Sequence, residues 1–242
     1  MLKRVLDILI AAFGLLISSP FLLVSLVAVW MQDFKSPFYV ANRVGRKGVN
    51  FRMIKVRSMI VNAENSGVVS TSSNDQRITK VGRIIRKFKI DELCQFWNVL
   101  IGNMSMVGPR PNVLSEVELY SKEELKLLDV KPGITDFSSI VFADLNELLG
   151  KSKNPNLDYN QLVRPWKSRL GLVYVENQSL WLYIQLIFFT FMESVNRNYV
   201  LIRINSILSK LNVSEEVLDV CTRKKPLYPA IPPGLDEIVT SR

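Results

Sequence analysis

Two adjacent carboxylates, Asp91 and Glu92, are the residues of this sequence best suited to carry out chemistry. The chain has 242 residues and no histidine, which excludes Ser-His-Asp and Cys-His mechanisms and most zinc sites, because each of them needs an imidazole. It also has neither a glycine-rich phosphate-binding motif nor a cysteine cluster. Catalysis would therefore depend on carboxylates together with Lys and Arg.

The setting of the acidic pair is basic and apolar. Lys87 and Lys89 precede it closely, and further cations stand at Lys55, Arg57 and Arg110. Two consecutive side chains point in different directions, so one carboxylate can attack phosphorus while the other holds a divalent cation. Cations are needed as well, because the transition state of phosphoryl transfer spreads negative charge over non-bridging oxygens. An isolated acidic pair is more often a solvated surface or a helix start, so it is the setting that favours a phosphate-binding cleft.

The distribution of charge limits the class of partner. The net charge is +9, and residues 1–111 hold 16 of the 31 Lys and Arg residues but only 6 of the 22 Asp and Glu residues. Such a basic half attracts nucleic acid, anionic lipid or a small polyphosphate, and charge alone does not choose among the three. Cys94 and Cys221 are far apart and form no disulfide-scaffold pattern, which is typical of a reducing, cytoplasmic compartment.

An apolar N-terminal segment is the first element that could position the site. Residues 8–32 carry no formal charge, and a helix of that length can cross a hydrocarbon core. Ser19 and Pro20 predict a break at its centre, because Pro removes a backbone donor, and a serine hydroxyl can satisfy the carbonyl that is freed. Cations flank both ends, whereas a spanning helix usually has one richer flank. A re-entrant helix with both ends in the cytoplasm explains these features; a kinked spanning helix and a signal peptide are the alternatives.

The segment after residue 34 predicts a short β-hairpin and then a loop. Gly45 and Gly48 mark its turn, and alternation places Lys55 and Arg57 on one face of the second strand, after two apolar residues. Residues 62–75 are rich in Ser and Asn and contain a Gly, which predicts a loop. The hairpin would thus present two cations together.

The region around the acidic pair predicts a helix break and a rigid loop. The apolar face changes near Ile90, so Asp91 would lie at or beside the N-terminus of a new helix, where Asp is a favoured N-cap and stays ionised. Residues 102–111 read as a loop that places Arg110 between Pro109 and Pro111.

The rest of the chain completes an α+β, mostly helical prediction. Helical periodicity covers residues 115–129, residues 177–192 form a short apolar helix that is buried or interfacial, and the tail beyond residue 210 looks irregular. We divide the chain into a membrane-anchoring helix (residues 1–34), a compact cytoplasmic catalytic domain (residues 35–200) and an extension of unknown role (residues 201–242).

Several motifs resemble those of the bacterial sugar transferase family of monotopic phosphoglycosyl transferases. They are KVRSM at residues 55–59, KIDELCQFWNVLIGNMSMVGPRP at residues 89–111, KPGIT at residues 131–135 and YVENQSLWL at residues 174–182, with KRVLD near the N-terminus. The resemblance covers roughly residues 1–200, and the DEL to GPRP block is highly specific.

The resemblance implies an enzyme on the cytoplasmic face of a bacterial inner membrane, with a re-entrant helix angled by Ser19 and Pro20. Such enzymes use Mg²⁺ to transfer a sugar-1-phosphate from a UDP-sugar to undecaprenyl phosphate, as the first membrane step of glycan biosynthesis. By resemblance, Asp91 would form a covalent phosphosugar and release UMP, and Glu92 would hold the metal ion. The residues that would neutralise phosphates are Lys55, Arg57 and Arg110, on and near a site loop that contains Pro109 and Pro111. A homodimer is left open.

Three departures from the family pattern accompany this resemblance. Cys94 replaces a usual Pro, the stretch after Thr135 lacks the usual Gly, Trp and Gln run, and Tyr183 replaces an acidic residue. The last two concern the sugar and nucleotide contacts. A non-catalytic, membrane-anchored basic module that binds anionic lipid or nucleic acid is the alternative function, although carboxylates beside the cations weaken polyanion binding, so nucleic acid is not an expected partner. A polytopic transferase is disfavoured by the single long apolar segment.

Overall fold

The fold is mostly helical, with two short two-stranded sheets. A computed structural model describes residues 1–63, 75–150 and 152–240 of the chain. The predicted α+β class and the predicted hairpin are confirmed. The predicted loop at residues 62–75 falls largely on residues 64–74, which lie outside the described residues.

The elements follow one another along the chain as listed here. The strands are β1 (Phe38–Val44), β2 (Asn50–Val56), β3 (Ser105–Val107) and β4 (Gly133–Thr135). The helices are α1 (Leu2–Asp33), α2 (Lys80–Lys87), α3 (Gln95–Leu100), α4 (Leu114–Val117), α5 (Phe137–Val141), α6 (Leu145–Gly150), α7 (Pro155–Asp158), α8 (Arg164–Glu176), α9 (Leu180–Glu193), α10 (Arg197–Lys210) and α11 (Glu215–Thr222). There are 3₁₀ turns at Arg46–Gly48, Ile90–Glu92 and Glu124–Asp129, and a π-helical turn at Tyr159–Val163.

The apolar N-terminal segment forms one continuous α-helix, α1, which contains Pro20. The predicted break at Ser19 and Pro20 is therefore wrong as an interruption of the helix. Pro20 has no N–H to give the carbonyl of Leu16, four residues earlier, and the Ser19 hydroxyl donates to that carbonyl at 2.7 Å instead. Because the Ser19 hydroxyl satisfies the Leu16 carbonyl, the helix can continue through Pro20. A change of helix direction at Pro20 stays a prediction.

Helix α1 packs one face along the folded body and leaves the other face exposed. The buried positions are Asp7, Ala11, Ser18, Leu22, Ser25 and Val29. The exposed face is apolar and includes Phe13, Leu16, Phe21 and Val24. Among the described residues, α1 is long and apolar enough to cross a membrane, on length and composition alone. The packed face, however, extends from the first turns to the last.

Polar contacts fasten both ends of α1. Asp7, which is buried, accepts hydrogen bonds at one carboxylate oxygen from the Ser105 hydroxyl, the Met106 N–H and the Tyr183 hydroxyl, at 2.8 to 2.9 Å. At the other end Asp33 pairs with Arg57. Tyr183 therefore contributes to anchoring α1, and this contact gives its departure from the family pattern a structural role.

The C-terminal third of the chain contributes to the main core. Buried residues of α10 and α11, Val200, Ile204, Leu208 and Val220 among them, belong to one cluster with residues of α5, α8 and α9. The predicted irregular tail beyond residue 210 is wrong over α11. The single helix predicted at residues 115–129 is also wrong, because this stretch forms α4 and a separate 3₁₀ turn. Helix α9 is partly buried, as predicted for residues 177–192, with Trp181, Phe188 and Phe191 exposed. The domain boundaries at residues 34 and 200 stay predictions.

Candidate active site

The acidic pair lies in a short turn between two helices. The 3₁₀ turn Ile90–Glu92 carries Asp91 and Glu92, and Lys89 before it has a left-handed backbone with φ 55°. This conformation redirects the chain after α2, so the predicted helix break is confirmed. The N-cap of α3 is Cys94, three residues further on. Asp91 therefore lies beside the start of a new helical segment, as predicted, but it is not the N-cap, because Lys89 precedes the 3₁₀ turn and Cys94 precedes α3.

Glu92 is held by two cations that the sequence places far from it. The Lys55 ammonium donates to Glu92 Oε1 at 3.3 Å, and Arg110 donates to both carboxylate oxygens, from Nη2 to Oε1 and from Nη1 to Oε2 at 3.2 Å. Burial alone would raise the pKa of Glu92, but Arg110 and Lys55 outweigh it and hold that pKa well below its ordinary value. Glu92 is therefore ionised whenever these cations are present.

Asp91 differs from Glu92 in its contacts and in the direction of its pKa shift. No hydrogen bond or ion pair to Asp91 is found within the described parts of the chain. Burial raises the pKa of Asp91, Lys55 opposes the rise, Glu92 adds to it, and Arg86 and Arg110 also oppose it. The predicted ionisation by a helix N-terminus is thus replaced by a balance between burial and nearby cations. Arg86, which the sequence analysis does not single out, belongs to this surrounding charge.

Asn98 fixes Lys55 relative to the acidic turn. Lys55 lies on β2, and the fully buried Asn98 lies on α3. The Asn98 amide accepts from the Ile54 N–H at 3.0 Å and donates to the Arg52 carbonyl at 2.7 Å. One side chain therefore substitutes for a neighbouring strand at the outer edge of β2. This contact joins the hairpin to the helix that follows Asp91.

Two glycines position Arg110. Strand β3 pairs in parallel with β4, so the predicted loop at residues 102–111 is wrong over Ser105–Val107. A Cβ on Gly108 would lie 2.3 Å from the Lys131 carbonyl oxygen, and one on Gly133 would lie 2.1 Å from the Gly108 nitrogen. Only glycine allows this approach. The Gly133 N–H then donates to the Pro109 carbonyl at 3.0 Å, which fixes the start of the Pro109 to Pro111 loop.

Arg57 lies outside this cluster of charges. Its guanidinium makes a two-point ion pair with Asp33, with distances of 2.6 and 2.7 Å, and its Nε donates to the Ser36 carbonyl at 2.8 Å. The residue is buried. The structure therefore brings together Lys55, Glu92 and Arg110 but uses Arg57 to fasten the end of α1. A phosphate-binding role for Arg57 stays a prediction.

A pocket beside Arg110 contains residues that sequence reasoning misses. Pro109 and Arg110 line it together with Asp136 and Lys167, which come from α5's N-cap and from α8. Pro111 lines an adjoining pocket that also includes Arg110. The one signal in the sequence is the unusual stretch after Thr135, which begins with Asp136.

The acidic turn can hold a magnesium ion only with help from a ligand. Within the described ranges there is no group of three or more His, Cys, Asp or Glu side chains suited to a metal. Mg²⁺, however, is commonly held by one or two carboxylates and the phosphates of a substrate. Glu92 Oε1 accepts two of the three hydrogen bonds from Lys55 and Arg110, and Oε2 accepts one. Oε2 therefore keeps a lone pair for a cation, and the residues fit this kind of site.

Comparison with known proteins identifies the family. A family model described as bacterial sugar transferase matches residues 1–197, and the chain belongs to this family. The match ends near the start of α10.

Curated relatives have names that point to one reaction class. The chain is 33% identical over 195 residues to a UDP-N-acetylgalactosamine-undecaprenyl-phosphate N-acetylgalactosaminephosphotransferase of Aeromonas hydrophila, covering 78% of this chain and 42% of the relative. It is 34% identical over 192 residues to a UDP-glucose:undecaprenyl-phosphate glucose-1-phosphate transferase of Klebsiella pneumoniae, covering 78% and 39%. It is 36% identical over 150 residues to the exopolysaccharide production protein ExoY of Rhizobium meliloti, covering 56% and 66%. The chain spans about two fifths of the length of the first curated relatives it matches.

Proposed function

We propose that the protein transfers a sugar-1-phosphate from a UDP-sugar to undecaprenyl phosphate and releases UMP. The observation that carries this proposal is the contrast within the acidic pair: Glu92 is held by two cations, while Asp91 has no hydrogen-bond or ion-pair partner within the described residues. A carboxylate left free beside cations is suited to attack a phosphorus atom that those cations bind. The family and the names of the relatives support the choice of substrates.

The proposed reaction has two steps, and each step forms one bond to phosphorus and breaks another. In the first, an Asp91 oxygen attacks the phosphorus that bears the sugar, a new oxygen–phosphorus bond forms, and the bond to the second phosphate breaks, so UMP leaves with its electron pair. In the second, a phosphate oxygen of undecaprenyl phosphate attacks the same phosphorus and the Asp91 carboxylate leaves. The product is a lipid-linked diphosphosugar, and Asp91 returns to its starting state.

The cations bind and orient the diphosphate in this proposal. Arg110 and Lys55 already face Glu92, so an incoming diphosphate replaces part of that pairing rather than entering an uncompensated positive site. Glu92 would hold Mg²⁺ through Oε2, and the bound ion would neutralise the charge that develops on phosphate oxygens. Asp91 stays free of these contacts and can approach the phosphorus.

The contacts of α1 support a position on one face of the membrane. A 32-residue helix is about 48 Å long, which exceeds a hydrocarbon core of about 30 Å. Near its start, Lys3 donates to the Val107 carbonyl and Arg4 to the carbonyls of Val99 and Leu100. At its end Asp33 pairs with Arg57. Both ends contact the same body, so we place both on the cytoplasmic side of a bacterial inner membrane, with the apolar face of α1 in lipid.

Release of UMP tests the function directly. Purified protein in detergent is mixed with Mg²⁺, undecaprenyl phosphate and one of UDP-glucose, UDP-galactose and UDP-N-acetylgalactosamine. We expect UMP and a lipid-linked diphosphosugar in equal amounts with at least one donor, and neither product from Asp91→Asn. Binding of anionic lipid vesicles without UMP release from any of the three donors would contradict the proposal and favour a non-catalytic basic module.

Cysteine labelling tests the topology. Both native thiols, Cys94 and Cys221, are buried, and burial raises their pKa values to about 11 and about 12, so they react slowly. Leu2→Cys and Ser36→Cys place single exposed thiols at either end of α1. We expect that an impermeant reagent added outside intact cells labels neither site and that both react after lysis. Labelling of one site from the periplasm would show a spanning helix.

A further inference from the structure

The pocket beside Arg110 is a second feature of the site to which the reaction steps above assign no role. Its polar lining comes from five segments of the chain and includes Arg110, Asn112, Tyr120, Asp136, Tyr159 and Lys167. Arg110 is therefore shared between this pocket and the acidic turn. A group joined to a phosphate bound at Arg110 would reach the pocket directly.

One wall of the pocket is already saturated with internal contacts. The buried Arg164 donates to Glu124 and to the Leu119 carbonyl, and Ser168 donates to Glu124 at 2.6 Å. Asn112 donates to the Tyr120 hydroxyl at 2.7 Å. These contacts hold the pocket in shape and use most of the capacity of Arg164 and Ser168, whereas the Tyr120 hydroxyl accepts from Asn112 and keeps its own O–H.

Two other groups keep unused capacity. Within the described ranges, neither the Lys167 ammonium nor the Tyr159 hydroxyl makes a hydrogen bond or an ion pair; the ammonium lies 5.9 Å from the centre of the Tyr159 ring. Burial lowers the pKa of Lys167 to about 8, Arg110 adds to the decrease, and Asp136 and Glu92 oppose it. Both groups line the pocket and can donate hydrogen bonds to a bound group.

Asp136 supplies the complementary acceptor. It is buried, and its oxygens accept from the Ser139 N–H at 2.7 Å and from the Ser138 hydroxyl at 2.9 and 3.0 Å. A carboxylate has about four lone-pair directions, so Asp136 can accept a further hydroxyl. Lys167 and Asp136 balance each other in charge, as do Arg164 and Glu124. The lining therefore suits a neutral ligand with several hydroxyl groups better than another phosphate.

We propose that this pocket binds the sugar ring of the nucleotide sugar, with Lys167 and Tyr159 donating hydrogen bonds to its hydroxyl oxygens and Asp136 accepting one. The inference rests on the proposed function. The sugar stays on the protein through both steps, whereas the nucleotide leaves after the first. A pocket next to Arg110 suits the group that is retained, and Tyr120 and Tyr159 add aromatic carbon to its largely polar lining.

The chain beyond the family match supports the back of this pocket. Gln161, in the π-helical turn that carries Tyr159, donates to the Val239 carbonyl at 2.7 Å and accepts from the Ala230 N–H at 3.0 Å. The Trp166 ring, next to Lys167, packs edge-on against Tyr228. Residues of the segment 226–239 thus contact both the turn that carries Tyr159 and the helix that carries Lys167. The pocket is held in shape before a ligand arrives, which lowers the cost of ordering it.

Two conservative variants test the assignment. Tyr159→Phe removes one hydroxyl and keeps the ring, and Lys167→Met removes the charge and keeps the chain length; exposed Lys224→Met is the matched control. Steady-state kcat/KM is measured with the UDP-sugar that the wild-type protein turns over fastest, and UDP is titrated as a competitive inhibitor. We expect kcat/KM to fall at least about tenfold in Lys167→Met, with the inhibition constant of UDP changed less than about twofold and Lys224→Met unchanged.

Other outcomes separate the two proposals. An equal loss of affinity for UDP and for the UDP-sugar would place the nucleoside in the pocket and overturn the sugar assignment. Unchanged kcat/KM in both variants would overturn it as well. A further readout is the order of preference among UDP-glucose, UDP-galactose and UDP-N-acetylgalactosamine, which a purely structural role would leave intact and which we expect Tyr159→Phe to alter. If the wild-type protein turns over none of the three, the proposed function fails first and the sugar assignment fails with it.

Discussion

Arg110 separates two regions of the site that are built differently. On one side, Glu92 pairs with Lys55 and with Arg110 itself, next to Asp91, which has no ion pair among the residues that the structure describes. On the other, Lys167, Asp136 and a tyrosine-lined wall form a pocket whose charges are balanced. The first region is suited to breaking and making bonds to phosphorus, and the second to holding the group that moves. Because Arg110 belongs to both regions, substitutions on its two sides should affect different kinetic constants.

Asp91→Asn should have the largest effect in the molecule. The substitution keeps the size of the side chain but removes the nucleophilic charge, so kcat should fall at least about a thousandfold. The measurement is UMP release at saturating donor. Binding of the UDP-sugar should remain, because the cations are intact.

Asp129→Asn, a carboxamide substitution away from the acidic turn, is the control for Asp91→Asn and should keep full activity. Retention of more than about a tenth of kcat by Asp91→Asn would show that this side chain only orients the donor.

Arg110→Ala should come next, because it removes the residue that the two regions share. We expect kcat/KM to fall by about 10²- to 10³-fold, with membrane association kept, and Arg52→Ala on the exposed face of the hairpin should have little effect. The test is UMP release together with membrane flotation. A loss confined to KM would indicate that Arg110 serves the pocket alone and would contradict its assignment to both regions.

Glu92→Gln should weaken the use of Mg²⁺ more than it alters the fold. We expect the metal concentration for half-maximal rate to rise by about ten- to a hundredfold, and excess chelator should abolish turnover of the wild-type protein. The melting temperature checks the fold, because the change also removes a partner of Lys55 and Arg110. Full wild-type activity in excess chelator would contradict the metal assignment.

The smallest effect should be a pH dependence that belongs to the pocket. The pKa of Lys167 is lowered to about 8 by burial, so its charge is present below that pH and is lost above it. The charged or titratable groups that face it are Arg110, Asp136, Glu92 and Tyr159. We expect kcat/KM for the UDP-sugar to fall about tenfold between pH 7 and pH 9.

Lys167→Arg should flatten this pH profile, because the guanidinium stays charged over the whole range. A decline that persists unchanged in Lys167→Arg would assign it to another group, such as Lys55, whose pKa is also lowered by burial.

The sequence is informative where the chemistry is local. Gly45 and Gly48 predict the hairpin turn, and the change of apolar face near Ile90 predicts the break before α3, because both signals come from residues close together in the chain. Lys55, Glu92 and Arg110 also lie in the motifs at residues 55–59 and 89–111, and the structure brings the three together. What fails locally is the N-cap, since a left-handed Lys89 and a 3₁₀ turn separate Asp91 from α3.

Contacts between distant segments are what the sequence does not reveal. The ion pair of Arg57 with Asp33 depends on where the last turn of α1 lies against β2, and no periodicity encodes that position. Asn98 reads as one polar residue in an apolar helix until its two bonds to β2 are seen. The polar lining of the pocket around Lys167 comes from five segments, so no single motif contains it. These side chains take their roles from the buried partners that the fold places beside them, and residue type alone does not indicate those partners.

Mass spectrometry of the protein mixed with Mg²⁺ and a UDP-sugar, without any lipid acceptor, tests whether Asp91 forms a covalent intermediate. We expect UMP in the solution and a mass increase of one sugar phosphate on the peptide that contains Asp91. We also expect the adduct to disappear when undecaprenyl phosphate is added and never to form in Asp91→Asn. A peptide of unchanged mass, together with intersecting rather than parallel initial-rate lines for a protein that turns over with acceptor, would show direct transfer between bound substrates and would contradict the covalent role of Asp91.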